Sequence, residues 1–275
     1  MRKVKYSKTD FKYSSLPTTR KALFFDLFRN QYKVILKCGF VLLMFSLPFM
    51  VFSIVMDFVK LGIYQNVNEE ELSGVLMLWS LTFNIGFIVL MFVLLIAISG
   101  LMRVIRQLVW SEGVDFWYDF KIGVKQNYPH FALSTGIILT FYLISYLMLI
   151  FFGFSLLGLS PMVLFIVFFI GIYIWYILLA NLYDSNFKEF TKNGLFFYIK
   201  TLGWSILFMI ALALPLMLNL IGNINFISLK YLIFVIVMIF YYPVIFTIME
   251  LYSLDKFDKY INIENYKDYY RKGLF

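Results

Sequence analysis

Apolar residues in this chain come in long unbroken blocks and do not alternate with polar ones. Six blocks stand out, at about residues 34–58, 74–102, 131–157, 162–183, 201–221 and 227–251. A bilayer core about 30 Å thick takes about 20 apolar residues of helix to cross, so each block predicts a membrane span. The strands of a membrane barrel would show a period of two, which these blocks lack. Residues 131–183 hold no charged side chain and would reach about 80 Å as one helix. They must turn, and Gly158-Leu159-Ser160-Pro161 has the turn chemistry. The pattern predicts an all-α polytopic membrane protein with six transmembrane helices in three hairpins.

Composition agrees with a membrane protein. Of 275 residues, 62% are hydrophobic, 21% aromatic and only 15% charged, far from soluble usage. The net charge of +8 has a pattern. Nine lysines and arginines precede the first block, and the second-to-third loop, the fourth-to-fifth loop and the tail hold four, three and five. The opposite side has only Lys60 and Lys230, with acids at Glu69, Glu70 and Glu71. Because positive loops stay inside, both termini are expected in the cytoplasm. The charge is then a topology signal, and no nucleic acid is expected as a partner. The chain divides into a basic cytoplasmic segment at 1–22, a membrane domain at 23–251 and a cytoplasmic tail at 252–275. No cleavage-site pattern accompanies the first block, so that block is expected to stay as a span. Cys38 is the only cysteine, which leaves no intramolecular disulfide.

Three spans are preceded by mixed aromatic and charged segments: LFFDLFRNQYK at 23–33, DFWYDFKIGVK at 115–125 and FKEFTKNGLFFYIK at 187–200. At 100° per residue, Phe116, Trp117, Phe120 and Val124 share an arc of about 100°, opposed by Asp119, Lys121, Lys125 and Gln126. Asp115 is a natural cap. Leu23, Phe24, Leu27 and Phe28 form a similar stripe. Such segments predict amphipathic helices on the cytoplasmic side, either lying in the interface with lysines toward anionic membrane lipids or docking a partner.

Residues 32–50 align without a gap on 199–217, matching a lysine, a Leu-Pro pair and a final methionine, which suggests a duplicated entry helix. Pro48, Pro215 and Pro243 are candidate helix kinks, since proline removes a backbone donor. Asn84 is the most interior strongly polar side chain. It reads as a helix-to-helix hydrogen-bonding residue, because no acid or base stands near the middle of a span.

Groups for catalysis are sparse. His130 is the only histidine and has no metal-ligating neighbour in sequence, and there is no phosphate loop or nucleophile elbow. The expectation is a non-enzymatic protein with no catalytic residues, metal site or cofactor.

Several short motifs are similar to those of the YesL-like family, bacterial integral membrane proteins of unassigned function. Ser46-Leu47-Pro48 resembles that family's first helix. Arg106, Glu112-Gly113, Asp119-Phe120-Lys121 and Asn127 resemble its Arg…Asp-Phe…Asn loop. Tyr183-Asp184-Ser185 followed by Lys192-Asn193-Gly194 resembles its second inner loop, with Gly where Ala is usual. The resemblance covers about residues 23–251. It implies a bacterial plasma-membrane protein that acts as an accessory component of a carbohydrate uptake system, with ABC transporter subunits or a sensor kinase as partners. A permease or channel without proton coupling and a membrane scaffold are the alternatives. Ser111-Glu112-Gly113-Val114 does not match the Glu-Ala-Ala loop by which importer permeases seat their ATPase.

Overall fold

The computed structural model describes residues 16–215 and 227–274, and among them the chain is helical with no strand. The helices are α1 (Arg20–Asn30), α2 (Tyr32–Asn66), α3 (Glu69–Val109), α4 (Phe116–Phe152), α5 (Leu156–Leu182), α6 (Phe187–Lys200), α7 (Leu202–Ala213) and α8 (Ile227–Asn265). Five of them, α2, α3, α4, α5 and α8, are long and apolar enough to cross a membrane, and α6 with α7 makes up to a sixth. This is the helix content of an all-α, multi-pass membrane protein. Most of the basic segment predicted at 1–22 and the end of the fifth predicted block lie outside the described residues.

The hairpin between α2 and α3 is tight, with Val67 and Asn68 joining the two helices. Glu69, Glu70 and Glu71 then occupy the first turn of α3, where negative charge complements the helix dipole. Helix α3 packs against both α2 and α4, and α8 runs along α2, α3 and α5. Small residues set the close approaches. A Cβ on Gly123 would sit 2.8 Å from the Arg103 Cβ and 2.9 Å from the Gly100 carbonyl oxygen, so glycine is what lets α4 approach α3 this closely. A Cβ on Gly39 would fall 2.0 Å from the carbonyl oxygen of Ile239. That carbonyl is the one Pro243, four residues on, cannot bond because proline lacks an N–H. The helix answers with a π turn over Val237–Tyr241, which faces α2. Pro243 thus marks a local rewinding. Pro48 sits inside an uninterrupted α2, and Pro215 follows the end of α7.

Two expectations from the sequence need correction. The turn in the uncharged stretch falls at residues 153–155, and Gly158-Leu159-Ser160-Pro161 belongs to the first turns of α5. Gly153 takes φ +58°, a conformation that suits a residue without Cβ, and the Ser155 hydroxyl then caps α5 by accepting from the Gly158 N–H at 3.3 Å. Gly158 is small for packing, since its Cβ would lie 2.1 Å from the Gly153 carbonyl oxygen. The third block therefore ends at Phe152 and the fourth begins at Leu156.

The second correction concerns residues 115–126. Asp115 does cap a helix, its Oδ1 accepting from the Tyr118 N–H at 3.3 Å, but that helix continues through Pro129 to Phe152. It is the first part of the span helix and not a separate interfacial helix. The continuity follows from what the segment buries: Phe116, Phe120, Gly123 and Asn127 recur at helical spacing and face the protein core. The other two segments are separate helices. Thr19 caps α1, which breaks from α2 at Gln31, and its Leu23 and Leu27 are buried in the core. Asn186 caps α6, which meets α7 at a bend of 103° beside Thr201.

Candidate functional site

The described interior holds one concentrated polar cluster, assembled from four helices. Arg106 near the end of α3, Asn127 on α4, Asn181 at the end of α5 and Glu250 on α8 are all buried, Glu250 and Asn181 to 1% exposure. Asn181 is the hub. Its Nδ2 is shared between the two carboxylate oxygens of Glu250, at 3.2 Å each, and the Met102 carbonyl at 3.2 Å. Its Oδ1 accepts from Asn127 Nδ2 at 2.9 Å, and its backbone carbonyl accepts from Arg106 Nη1. Asn127 also donates to the Ser99 carbonyl at 3.0 Å. The guanidinium of Arg106 lies 5.1 Å from the centre of the Trp110 ring. A buried carboxylate is costly unless it is hydrogen-bonded and near a counter-charge, and the cluster supplies both.

A second layer closes over this cluster. Arg20 on α1 pairs with Asp258 at 2.8 Å and donates to the Lys272 carbonyl at 2.8 Å. Asp258 accepts from Asn262, which in turn accepts from the Tyr183 hydroxyl at 2.6 Å. The Lys272 ammonium lies 3.8 Å over the Trp110 ring and 2.7 Å from Glu112. Gly273, at φ +84°, lets the tail pass against the Val109 carbonyl, which a Cβ would approach to 2.2 Å. Helix α1, the α3–α4 loop and the C-terminal segment therefore share one end of the bundle.

Of the motif residues singled out in the sequence, Arg106 and Asn127 enter the cluster. Asp119 lies about two turns before Asn127 on α4, where it pairs with Arg103 at 3.7 Å and accepts from the N–H of the cap residue Asp115 at 3.0 Å. Phe120 covers Gly100. Trp117, 60% exposed, leaves the stripe that Phe116 and Phe120 bury, and Lys121 and Lys125 are exposed beside it. Asp184, Lys192 and Asn193 are exposed and stand apart from the cluster. Asn84 bonds the Ser80 carbonyl at 2.8 Å and accepts from Tyr142, tying α3 to α4. In sequence Asn181 and Glu250 stand near span ends with nothing to mark them as a pair, and only the fold makes them the centre of the cluster.

At the other end of the bundle Lys230 on α8 pairs with Asp57 on α2 at 2.7 Å, and the Tyr231 hydroxyl donates to the same carboxylate at 2.9 Å. Between the two polar ends lies a cavity of about 260 Å³ walled by α2, α3, α5 and α8, with Leu212 of α7 and Pro215 after it also on the wall. Leu42, Leu94, Leu95, Met102, Met238 and Met249 are typical of its wall, and the polar groups on it are Ser53, Lys230 and tyrosines. No family model, curated protein or solved structure matches the chain, so its likeness to other proteins adds nothing to this geometry.

Proposed function

We propose that the chain is a six-span, non-enzymatic protein of the plasma membrane, with both termini cytoplasmic, that serves as an accessory component beside a solute-uptake system. The orientation rests on the lysine and arginine bias and the shared end of α1 and the tail. The partner class, ABC transporter subunits or a sensor kinase, rests on the YesL-like resemblance.

The observation that carries the accessory role over a permease is the character of the space between the helices. Its wall is largely apolar, and at one end Met102, whose carbonyl accepts from Asn181, and Met249, next to Glu250, stand between it and the polar cluster. Ser53, Lys230 and the tyrosines are too few to serve a sugar moving through that space, and each hydroxyl left without a partner costs about 1–3 kcal/mol. A polar solute is thus better served by a neighbouring conduit. The basic, aromatic surface of Trp117, Lys121 and Lys125 is available to anionic lipid or a cytoplasmic partner.

Co-purification from native membranes in a mild detergent tests the proposal. Recovery of an ATPase, an importer permease or a sensor kinase in stoichiometric amount is the expected result. Recovery of the chain alone, under conditions that keep a known importer intact, contradicts it.

A further inference from the structure

The cavity has a feature that its apolar wall does not explain. Ser53, on its wall, is 2% exposed, and its hydroxyl has no hydrogen-bond partner among the described residues. A buried hydroxyl left unpaired is destabilising. One helical turn further along the same face of α2 stands Asp57, and the paired Lys230 also lines the cavity at 5% exposure. Among the described residues the Lys230 ammonium donates to Asp57 alone, using one of its three protons. Two sets of donors therefore meet at one end of a space whose remaining wall is hydrocarbon and tyrosine.

We infer that this cavity binds one long hydrocarbon chain ending in a carboxyl oxygen, the chain along the apolar wall and the oxygen at Ser53 and Lys230. The dimensions fit. From Phe87 to Met102, both on the wall, α3 rises about 22 Å at 1.5 Å per residue. One leaflet of hydrocarbon is about 15 Å deep, half of the bilayer core. The volume of about 260 Å³ exceeds the roughly 150 Å³ of an engineered apolar cavity that stays dry and takes up benzene. Methionines at 91, 102, 238 and 249 give the wall an adaptable surface suited to a flexible chain. The carboxyl oxygen can belong to a free fatty acid or to an acyl ester of a lipid. The inference does not depend on the accessory role, since it concerns only what fills the bundle.

Photolabelling of the full chain in phosphatidylcholine nanodiscs, with palmitate carrying a diazirine near its methyl end, tests it. Saturable adducts should map to residues 90–102 and 238–249, and unlabelled palmitate should compete. Leu94→Trp, which fills the cavity, should lower this labelling at least about tenfold, and Met91→Phe serves the same purpose if the first variant does not fold. Ser53→Ala should weaken competition by palmitate about threefold to tenfold while leaving competition by hexadecane unchanged. Competition by lysophosphatidylglycerol as strong as that by palmitate assigns the site to an ester-linked chain, and competition by palmitate alone assigns it to the free acid. Adducts that persist in the filled variants, or that fall on outward positions such as Val55 and Leu78, overturn the site. An unchanged palmitate competition in Ser53→Ala overturns the carboxyl contact.

Discussion

The side-chain amide of Asn181 donates to both carboxylate oxygens of Glu250, each at 3.2 Å, and through that one contact α5 is joined to α8 in the interior. The pair is the centre of the cluster that also takes in Arg106 and Asn127. Removing the amide leaves the buried carboxyl of Glu250 short of a hydrogen bond, which costs about 1–3 kcal/mol. Asn181→Ala should therefore lower the thermal unfolding temperature of the detergent-solubilised protein. Adding Glu250→Gln should recover part of the loss, since a neutral amide is cheaper to bury than a carboxylate. Losses that simply add across the two substitutions contradict this account.

The close contact of Gly39 with the Ile239 carbonyl makes a second expectation. Gly39→Val should destabilise by about 1–3 kcal/mol or more, the usual cost of overpacking. Gly62→Ala on the same helix is the control, because nothing lies within 4 Å of a Cβ there. It should leave unfolding unchanged or raise its temperature. Equal effects at the two positions contradict the packing of α2 on the π turn.

In the segment at 115–126, burial divides the aromatic residues. Phe120→Ala should cost about 3–5 kcal/mol as a core truncation. Trp117→Ala, at an exposed ring, should change stability in detergent little. Lys121→Gln with Lys125→Gln should leave stability in neutral nanodiscs intact and reduce the stabilisation gained from anionic lipid, by about 1 kcal/mol per lysine. Unfolding followed in neutral and anionic nanodiscs separates these outcomes. A Phe120 variant as stable as the Trp117 variant contradicts the core assignment.

Orientation is tested by single cysteines at positions 70 and 185 in a Cys38→Ser background, labelled on intact cells with an impermeant thiol reagent. Position 70 should react and position 185 should not. The opposite pattern reverses the proposed orientation.

Much of the helix content was legible because a membrane core demands long apolar runs, and these runs mark α2, α3, α4, α5 and α8 directly. Two boundaries were less legible. Gly158-Leu159-Ser160-Pro161 carries turn residues, but the helix runs through them with Pro161 inside it, and the turn went to Gly153, whose positive φ no hydropathy pattern reveals. The segment at 115–126 has the periodicity of an interfacial helix, and the same periodicity serves a helix whose apolar face packs on protein, so pattern alone did not distinguish them. The candidate site was the least legible part. Arg106 and Asn127 were singled out by motif, but Asn181 and Glu250 come from helices 54 residues or more from Asn127 in sequence, and only packing brings them together. The orphan hydroxyl of Ser53 likewise exists only in three dimensions.

The measurement that bears most directly on the accessory account is solute flux through the purified chain in proteoliposomes of defined lipid. With radiolabelled mono- and disaccharides, uptake should equal that of protein-free liposomes, because the wall of the space between the helices is hydrocarbon apart from Ser53, Lys230 and tyrosines, too few partners for the hydroxyls of a sugar. Saturable uptake above the protein-free level by the chain alone contradicts the account and makes the protein a permease.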